Sequence, residues 1–477
     1  MKNEKSSIAT QTSRTTTPTV WETVRAAISG ADYDYTSGSI RRALLLLAIP
    51  MVLEMGMESI FVLVDIFFVA QLGADAVASV GLTESLLTLL YAVAIGLSMG
   101  ATAHVARRIG EKNIDAARTA AVQVIWIGIV LALLIGVLGA THASDLLALM
   151  GGNGMVVEDG SRYTQFMLGG SVTILLIFLL NAIFRGAGNA AIAMRALWIA
   201  NGINIVLDPC LIFGLGPFPE LGVTGAAVAT NIGRSAGICY QLYCLTTGKT
   251  VVSVSMTDMT LRLSLMLRLL RISIPGAIQM SIAMSSYIFL MKVIASYGSN
   301  AVAGFTIGIR IFAFTFMPAW GLGNAVATLV GQNLGAGRPD RAERSIWLAA
   351  RYNATVLVTV AIVFISVPGF FVEFFTSDPA IAAYAADCLR YCSYGYGFYA
   401  VGAIVTQAFN GAGDTDTPTL INLFCFWLVQ IPLAYLLSNS FGMGPRGVFV
   451  TISIADSLLA IVAVLALRRG SWKLRQV

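Results

Sequence analysis

Apolar residues run along this chain in long stretches separated by short polar or glycine-bearing segments. Twelve of those stretches are long enough to cross the hydrocarbon core of a bilayer, which takes about 20 residues. In the first half they fall at roughly 43–71, 77–105, 119–141, 161–184, 191–213 and 222–246, and in the second at roughly 272–297, 301–331, 345–370, 384–409, 417–439 and 446–467. The two halves are one unit written twice. Ile49-Pro50 recurs at Ile274-Pro275, Phe184-Arg185-Gly186-Ala187-Gly188 at Phe409-Asn410-Gly411-Ala412-Gly413, and Gly96, Gly110 and Asp115 at Gly321, Gly335 and Asp340, always 225 positions apart. Six spans per copy is an even number, so both copies enter the membrane from the same side, as parallel repeats about an axis along the membrane normal. The pattern predicts an all-α polytopic membrane protein. It has a polar tail at 1–40, a six-helix lobe at 41–247, a linker at 248–271, a second six-helix lobe at 272–468 and a C-terminal tail at 469–477.

Composition sharpens this. A mean hydropathy of +0.79 with 12% charged residues excludes an ordinary soluble chain, in which about a quarter would be charged. The tail, rich in Ser and Thr, lacks a signal-peptide pattern and is expected to stay in the cytosol. All but six of the 30 lysines and arginines lie in the two tails or in the loops near 107–118, 185–195, 249–271 and 338–351. The opposite face holds Arg162, Arg390 and Arg446. By the positive-inside rule both termini are cytosolic in a plasma (inner) membrane, and the basic residues mark topology rather than a nucleic-acid surface. The six cysteines and the two histidines, His104 and His142, have no metal-binding spacing. No nucleophile elbow or large soluble domain is present either, so the chain reads as a monomeric membrane protein that is not an enzyme and needs no cofactor. Between the lobes, Leu261, Leu265 and Leu269 lie on one side of Met259–Ile272 and Arg262, Arg268 and Arg271 elsewhere, which predicts an amphipathic helix along the inner surface. Pro50, Pro275, Pro318, Pro368 and Pro432 are expected to kink their spans.

Ionisable groups inside spans are costly, so each is a functional candidate. The first copy embeds Glu54, Glu58, Asp65, Glu84, Asp208 and Arg234; the second embeds only Lys292, Arg310 and Asp456. Glu54, Glu58 and Asp65 are spaced by four and seven residues, which places them within an arc of roughly 40° on one helix. Facing lipid, each carboxylate would cost about 2.5 kcal/mol or more, so the stripe must face water or other helices. Asn201, Asn204 and Asp208 form a second polar face, and Pro209 frees the Ile205 carbonyl beside it. Asp65, Asn204, Asp208 and Thr230 share one depth and can converge on a site for H+ or Na+. Pro50 supplies a hinge fifteen residues before Asp65. Glu54 and Glu58, the thioethers of Met55, Met280 and Met284, and the rings of Tyr391, Tyr394 and Tyr399 are candidates for a substrate cavity, the last three through cation–π contact.

Val64-Asp65-Ile66-Phe67-Phe68-Val69-Ala70-Gln71-Leu72-Gly73, Arg185-Gly186-Ala187-Gly188 and Val330-Gly331-Gln332-Asn333-Leu334-Gly335-Ala336-Gly337 fall in that order on the spans. Together they resemble the multidrug and toxic compound extrusion (MATE) transporters of the DinF-like branch. The resemblance, over about residues 38–468, implies two six-helix lobes forming a V and export of cationic or amphipathic small molecules against inward H+ or Na+. It also implies an ion site at Asp65, Asn204, Asp208 and Thr230, with Asn181 as the fourth-span asparagine although it sits near the cytosolic end. A lipid-linked saccharide flippase shares the architecture, but it would favour a cationic cavity, whereas the first lobe is net negative and only Lys292 and Arg310 offer positive charge in the second.

Overall fold

The computed structural model describes residues 19–152, 154–248, 250–255 and 258–477; residues 1–18 of the expected tail lie outside the described residues. Among these, the ordered elements are helical, with no strand. The first lobe consists of Ile40–Ala70, Ala74–Gly110, Ile114–Thr141, a fourth span in two pieces (Gly154–Gly169 and Ser171–Gly186), Ala190–Phe213 and Val223–Thr246. The second consists of Leu263–Ala295, Ser299–Gly335, Pro339–Ser366, a tenth span in two pieces (Pro379–Ser393 and Tyr396–Ala412), Asp416–Ser440 and Pro445–Arg468. The second and eighth spans, and the third and ninth, begin and end at positions 225 apart, so the sequence repeat is a structural repeat. Among the described residues nine of these elements are long and apolar enough by themselves to cross a membrane, which makes this a multi-pass membrane protein.

The lobes meet where glycine lets two backbones touch. A Cβ on Gly110 would lie 2.0 Å from the Gln332 carbonyl oxygen, and one on Gly335 would lie 2.1 Å from that of Arg107. These two contacts exchange under the 225 offset, as do Gly96 against Ala277 and Gly321 against Val52. Such exchange is what a two-fold relation between parallel repeats requires. All four glycines lie in the halves of the second and eighth spans nearest the termini. Toward the other end Gly56 and Gly81 meet nothing within 4 Å, and Ile60 and Leu89 are exposed, so the close backbone contact is not repeated at these positions.

Both tails reinforce that closed face. Thr19 and Glu22 form a capping box that starts a helix at Val20–Ser29, so the described part of the expected polar tail is ordered. Its continuation bridges the lobes. The Tyr35 hydroxyl donates to the Gly188 carbonyl at 3.0 Å, while Arg338 donates to the Thr36 carbonyl and Arg341 to that of Ser37, each at 2.6 Å. At the C-terminal end Arg475 donates to Asp414 at 2.9 Å, and its carbonyl accepts from Arg107 of the first lobe at 2.7 Å.

Three local expectations are corrected. No separate helix spans Met259–Ile272: the seventh span starts at Leu263 and runs unbroken, and the Gln123 side chain pins the segment before it. That side chain donates to the Thr260 carbonyl and accepts from the Arg262 amide, both at 2.8 Å, satisfying backbone groups that a surface helix would have satisfied itself. Pro368 does not kink a span. The ninth span has already ended at Ser366, and Pro368 opens the short helix Pro368–Val372, where its missing N–H costs nothing. Pro432 does more than kink its span, since the chain winds as a π-helix on both sides of it, at Leu423–Gln430 and Leu436–Ser440.

A side chain forced between the lobes should be felt at once. Gly110→Ala and Gly335→Ala are each expected to destabilise the protein by about 1–3 kcal/mol, read as a fall of several degrees in the thermal unfolding midpoint in detergent. An unchanged midpoint in both would refute the close lobe contact.

Candidate ion and substrate site

Asn204 on the fifth span is the hub of a buried polar cluster. Its Nδ2 donates to Asp208 Oδ1 at 3.2 Å and to Thr230 Oγ1 on the sixth span at 3.1 Å. The spacing of four that put Asn204 and Asp208 on one helical face is what allows the first of these bonds. All three side chains are buried, Asp208 completely. From the first span the Asp65 carboxylate repels that of Asp208 electrostatically. One oxygen on each of Asp65, Asn204 and Asp208 is buried without a hydrogen-bond partner. Oxygens with only lone pairs to offer are completed by a cation or a proton.

Seven and eleven residues back along the first span, the other two acids of the stripe are engaged differently. Glu58 accepts from Asn201 Nδ2 at 3.0 Å. Glu54 accepts from Asn181 Nδ2 at 3.1 Å and stands 3.5 Å from Arg185 Nη1, while Gln241 Nε2 donates to Asn181 Oδ1 at 2.6 Å. Glu54 is therefore buried among the first, fourth and sixth spans and not open to a cavity in this conformation. Asn181 joins Glu54, about 16 Å of helix from Asp65, and not the Asn204 cluster. The stripe faces helices, as its cost in lipid demanded.

Arg234, like Asp456, is a residue to which the sequence assigns no role. Its Nη2 donates to the Tyr91 hydroxyl at 3.0 Å, and its charge acts on both Glu58 and Asp65. The signal was present as the lone base among the first lobe's embedded acids, but its partners lie on other spans. Glu84 and Arg310 attract each other across the lobes from exposed positions.

The substrate candidates are dispersed. Met55, Met280 and Met284 are half-buried. Tyr399 packs on Phe316 of the eighth span with centroids 4.6 Å apart and faces Asp456 electrostatically. Tyr391 and Tyr394 line a groove of about 450 Å³ between the tenth and twelfth spans. The three tyrosines thus do not form one wall.

Comparison with known proteins agrees with this architecture. The MatE family model matches the chain twice, over residues 50–210 and 275–436, so its two matches begin at the repeat-related prolines. The chain belongs to the MatE family. This MATE protein is 30% identical to the probable multidrug resistance protein NorM of Thermotoga maritima, over 92% of its own length and 94% of the relative's. It is 26% identical to a FAD transporter of Shewanella oneidensis, over 89% and 94% of the two chains. Among solved structures, a MATE protein crystallised in complex with MaL6 superposes with a TM-score of 0.87 at 26% identity, covering 92% of this chain and 99% of that one. The protein is accordingly a membrane transporter of the MATE family whose relatives include proteins named for multidrug resistance and export.

In this MATE protein Asn204→Leu removes the donor shared by Asp208 and Thr230 and leaves both unpaired. The expected cost is about 1–3 kcal/mol, visible as a lowered midpoint in thermal unfolding of the purified protein. Equal stability would mean that Asn204 is not the hub.

Proposed function

We propose that this MATE transporter is a secondary antiporter that exports cationic or amphipathic small molecules in exchange for inward H+ or Na+, with the ion loaded at Asp65, Asn204, Asp208 and Thr230. The observation that carries the reading is the set of buried, unpartnered oxygens on Asp65, Asn204 and Asp208, which leaves room in the charge balance for one small cation or proton. The basic residues of the loops and tails support a cytosolic assignment of the face carrying both termini. The lobes close at that face, so the cleft opens outward. No cofactor and no covalent step are needed, and a single chain holds the whole site.

Loading from outside neutralises negative charge in the first lobe and weakens its hold on a cationic substrate. Pro50, the eleventh residue of the first span, lacks the N–H that would stiffen it, so the ion-dependent change is absorbed there. Mutual exclusion between ion and substrate then couples the two fluxes, because each binds better to a state that the other disfavours. The half-buried Met55, Met280 and Met284 and the Tyr399–Phe316 pair supply adaptable apolar and cation–π contacts for the exported compound.

Dye efflux from proteoliposomes under an imposed proton gradient, and separately under a sodium gradient, tests this directly. One of the two gradients is expected to drive export by the wild type, with Asp65→Asn and Asp208→Asn each lowering gradient-driven export about tenfold or more, equivalent to about 1.4 kcal/mol. Export driven by neither gradient, or unaffected by both substitutions, would sink the reading. In the same vesicles Met55→Ala combined with Met280→Ala should raise the KM for dye about tenfold with little change in kcat, the signature of lost uniform binding; an unchanged KM would remove the thioethers from the substrate wall.

A further inference from the structure

The antiport reading makes no use of the Glu54 cluster. Glu54 is only 1% exposed, and its Oε2 has no hydrogen-bond partner. The charged groups that face it are Arg185 from the fourth span and Glu58 on its own helix. Arg185 lies at the end of the fourth span, where the backbone is the docking surface for the other lobe. Thr328 Oγ1 of the eighth span donates to the Arg185 carbonyl at 3.1 Å, and Gln332 Nε2 donates to that of Gly186 at 2.9 Å. The Tyr35 hydroxyl holds the Gly188 carbonyl two residues further on. One residue thus has its side chain held by a first-span carboxylate and its carbonyl held by the opposite lobe. At the 225 offset Glu54 and Arg185 correspond to Gln279 and Asn410, a neutral pair that cannot titrate.

We propose that Glu54 is a positioning residue that locks the lobes at the face carrying the termini, and that a proton on its carboxylate releases the lock. Ionised, it balances Arg185 and holds the fourth-span end in the geometry that the eighth span docks against. Protonated, it leaves a buried guanidinium without its counter-charge, a state that is strongly disfavoured, and the docking loosens. Fall in pH therefore favours opening of this face, and rise in pH favours closure. The first span then carries ion loading at Asp65 and gating at Glu54. This rests on the antiport reading for the source of the proton, but its test does not depend on a gradient.

Spin labels at Asp115→Cys and Asp340→Cys, in the first turns of the third and ninth spans, report the lobe separation by pulsed electron paramagnetic resonance. The measurement uses the full chain in lipid nanodiscs, with the six native cysteines replaced. The wild type is expected to show one short distance at alkaline pH and a growing long population as pH falls. Glu54→Gln should enrich the long population about threefold or more at neutral pH, and raising the pH should not reverse it; Glu54→Asp, which keeps the charge, should still respond to pH. The double variant Glu54→Gln/Arg185→Gln, which leaves no buried charge unpaired, should also lose the pH response and serves should the single variant fail to fold. A wild-type pH response in Glu54→Gln, or in the double variant where only that one folds, overturns the proposal. Loss of gradient-driven dye export alone speaks against antiport and leaves these distances unaffected.

Discussion

A carboxylate in the hydrocarbon core has to be bonded, paired or neutralised, and the first span carries three of them on one stripe. Much of the first lobe follows from that demand. The fourth span brings Asn181 and Arg185 to Glu54, the fifth brings Asn201 to Glu58, and the sixth sends Arg234 toward Glu58 and Asp65. Glu54 is doubly contacted yet keeps its Oε2 without a hydrogen-bond partner, and Asp65 likewise keeps one buried oxygen without a partner. The helix is thus anchored near the termini through the fourth span, and a free carboxylate oxygen remains at each end of the stripe. On the antiport reading, an ion bound at Asp65 would act on a helix already held by the fourth span at its other end, so its effect would be felt as a bend or tilt and not as local melting.

The duplication supplies the frame against which this acts. Gly110 and Gly335 press on Gln332 and Arg107 in a contact that swaps under the repeat, so the two lobes meet on a shared axis with little side chain between them. The polar cluster does not swap. Where the first lobe has Asp65, Asn204, Asp208 and Thr230, the second has Leu290, Val429, Leu433 and Ala455. On the antiport reading, one ion event would load the first lobe alone, with the second lobe as the reference body.

Much of this was legible because it depends on periodicity. Span limits follow from apolar run lengths, the stripe of Glu54, Glu58 and Asp65 from helical spacing, and the Asn204–Asp208 bond from a separation of four. What was not legible depends on partners far away in sequence. The docking of residues 258–262 on Gln123 and of Ser37 on Arg341 joins segments more than a hundred residues apart, and no local pattern encodes either. Asn181 is instructive: depth along its span argued against the Asp65 site, but its actual partner, Glu54, could be named only once the first and fourth spans were seen side by side. The π-helical turns of the eleventh span escaped because Leu423–Gln430 is as apolar as an α-helical span would be, and composition does not record how many residues make a turn.

Charge counting ties the two clusters together. Within the first lobe Arg185 is committed to Glu54, and Arg234, tethered to Tyr91, interacts electrostatically with Glu58 and Asp65. Two fixed positive charges against Glu54, Glu58, Asp65 and Asp208 leave the equivalent of two carboxylates uncompensated. Asp65 and Asp208 repel each other, and Asn204 can give Asp208 only one of the bonds it lacks. A single monovalent cation or proton shared at this place removes most of that repulsion, while a second would have to compete with the field of Arg234. On the antiport reading, a cationic substrate and the driving ion would draw on this same unmatched charge, and each would weaken the lobe's hold on the other.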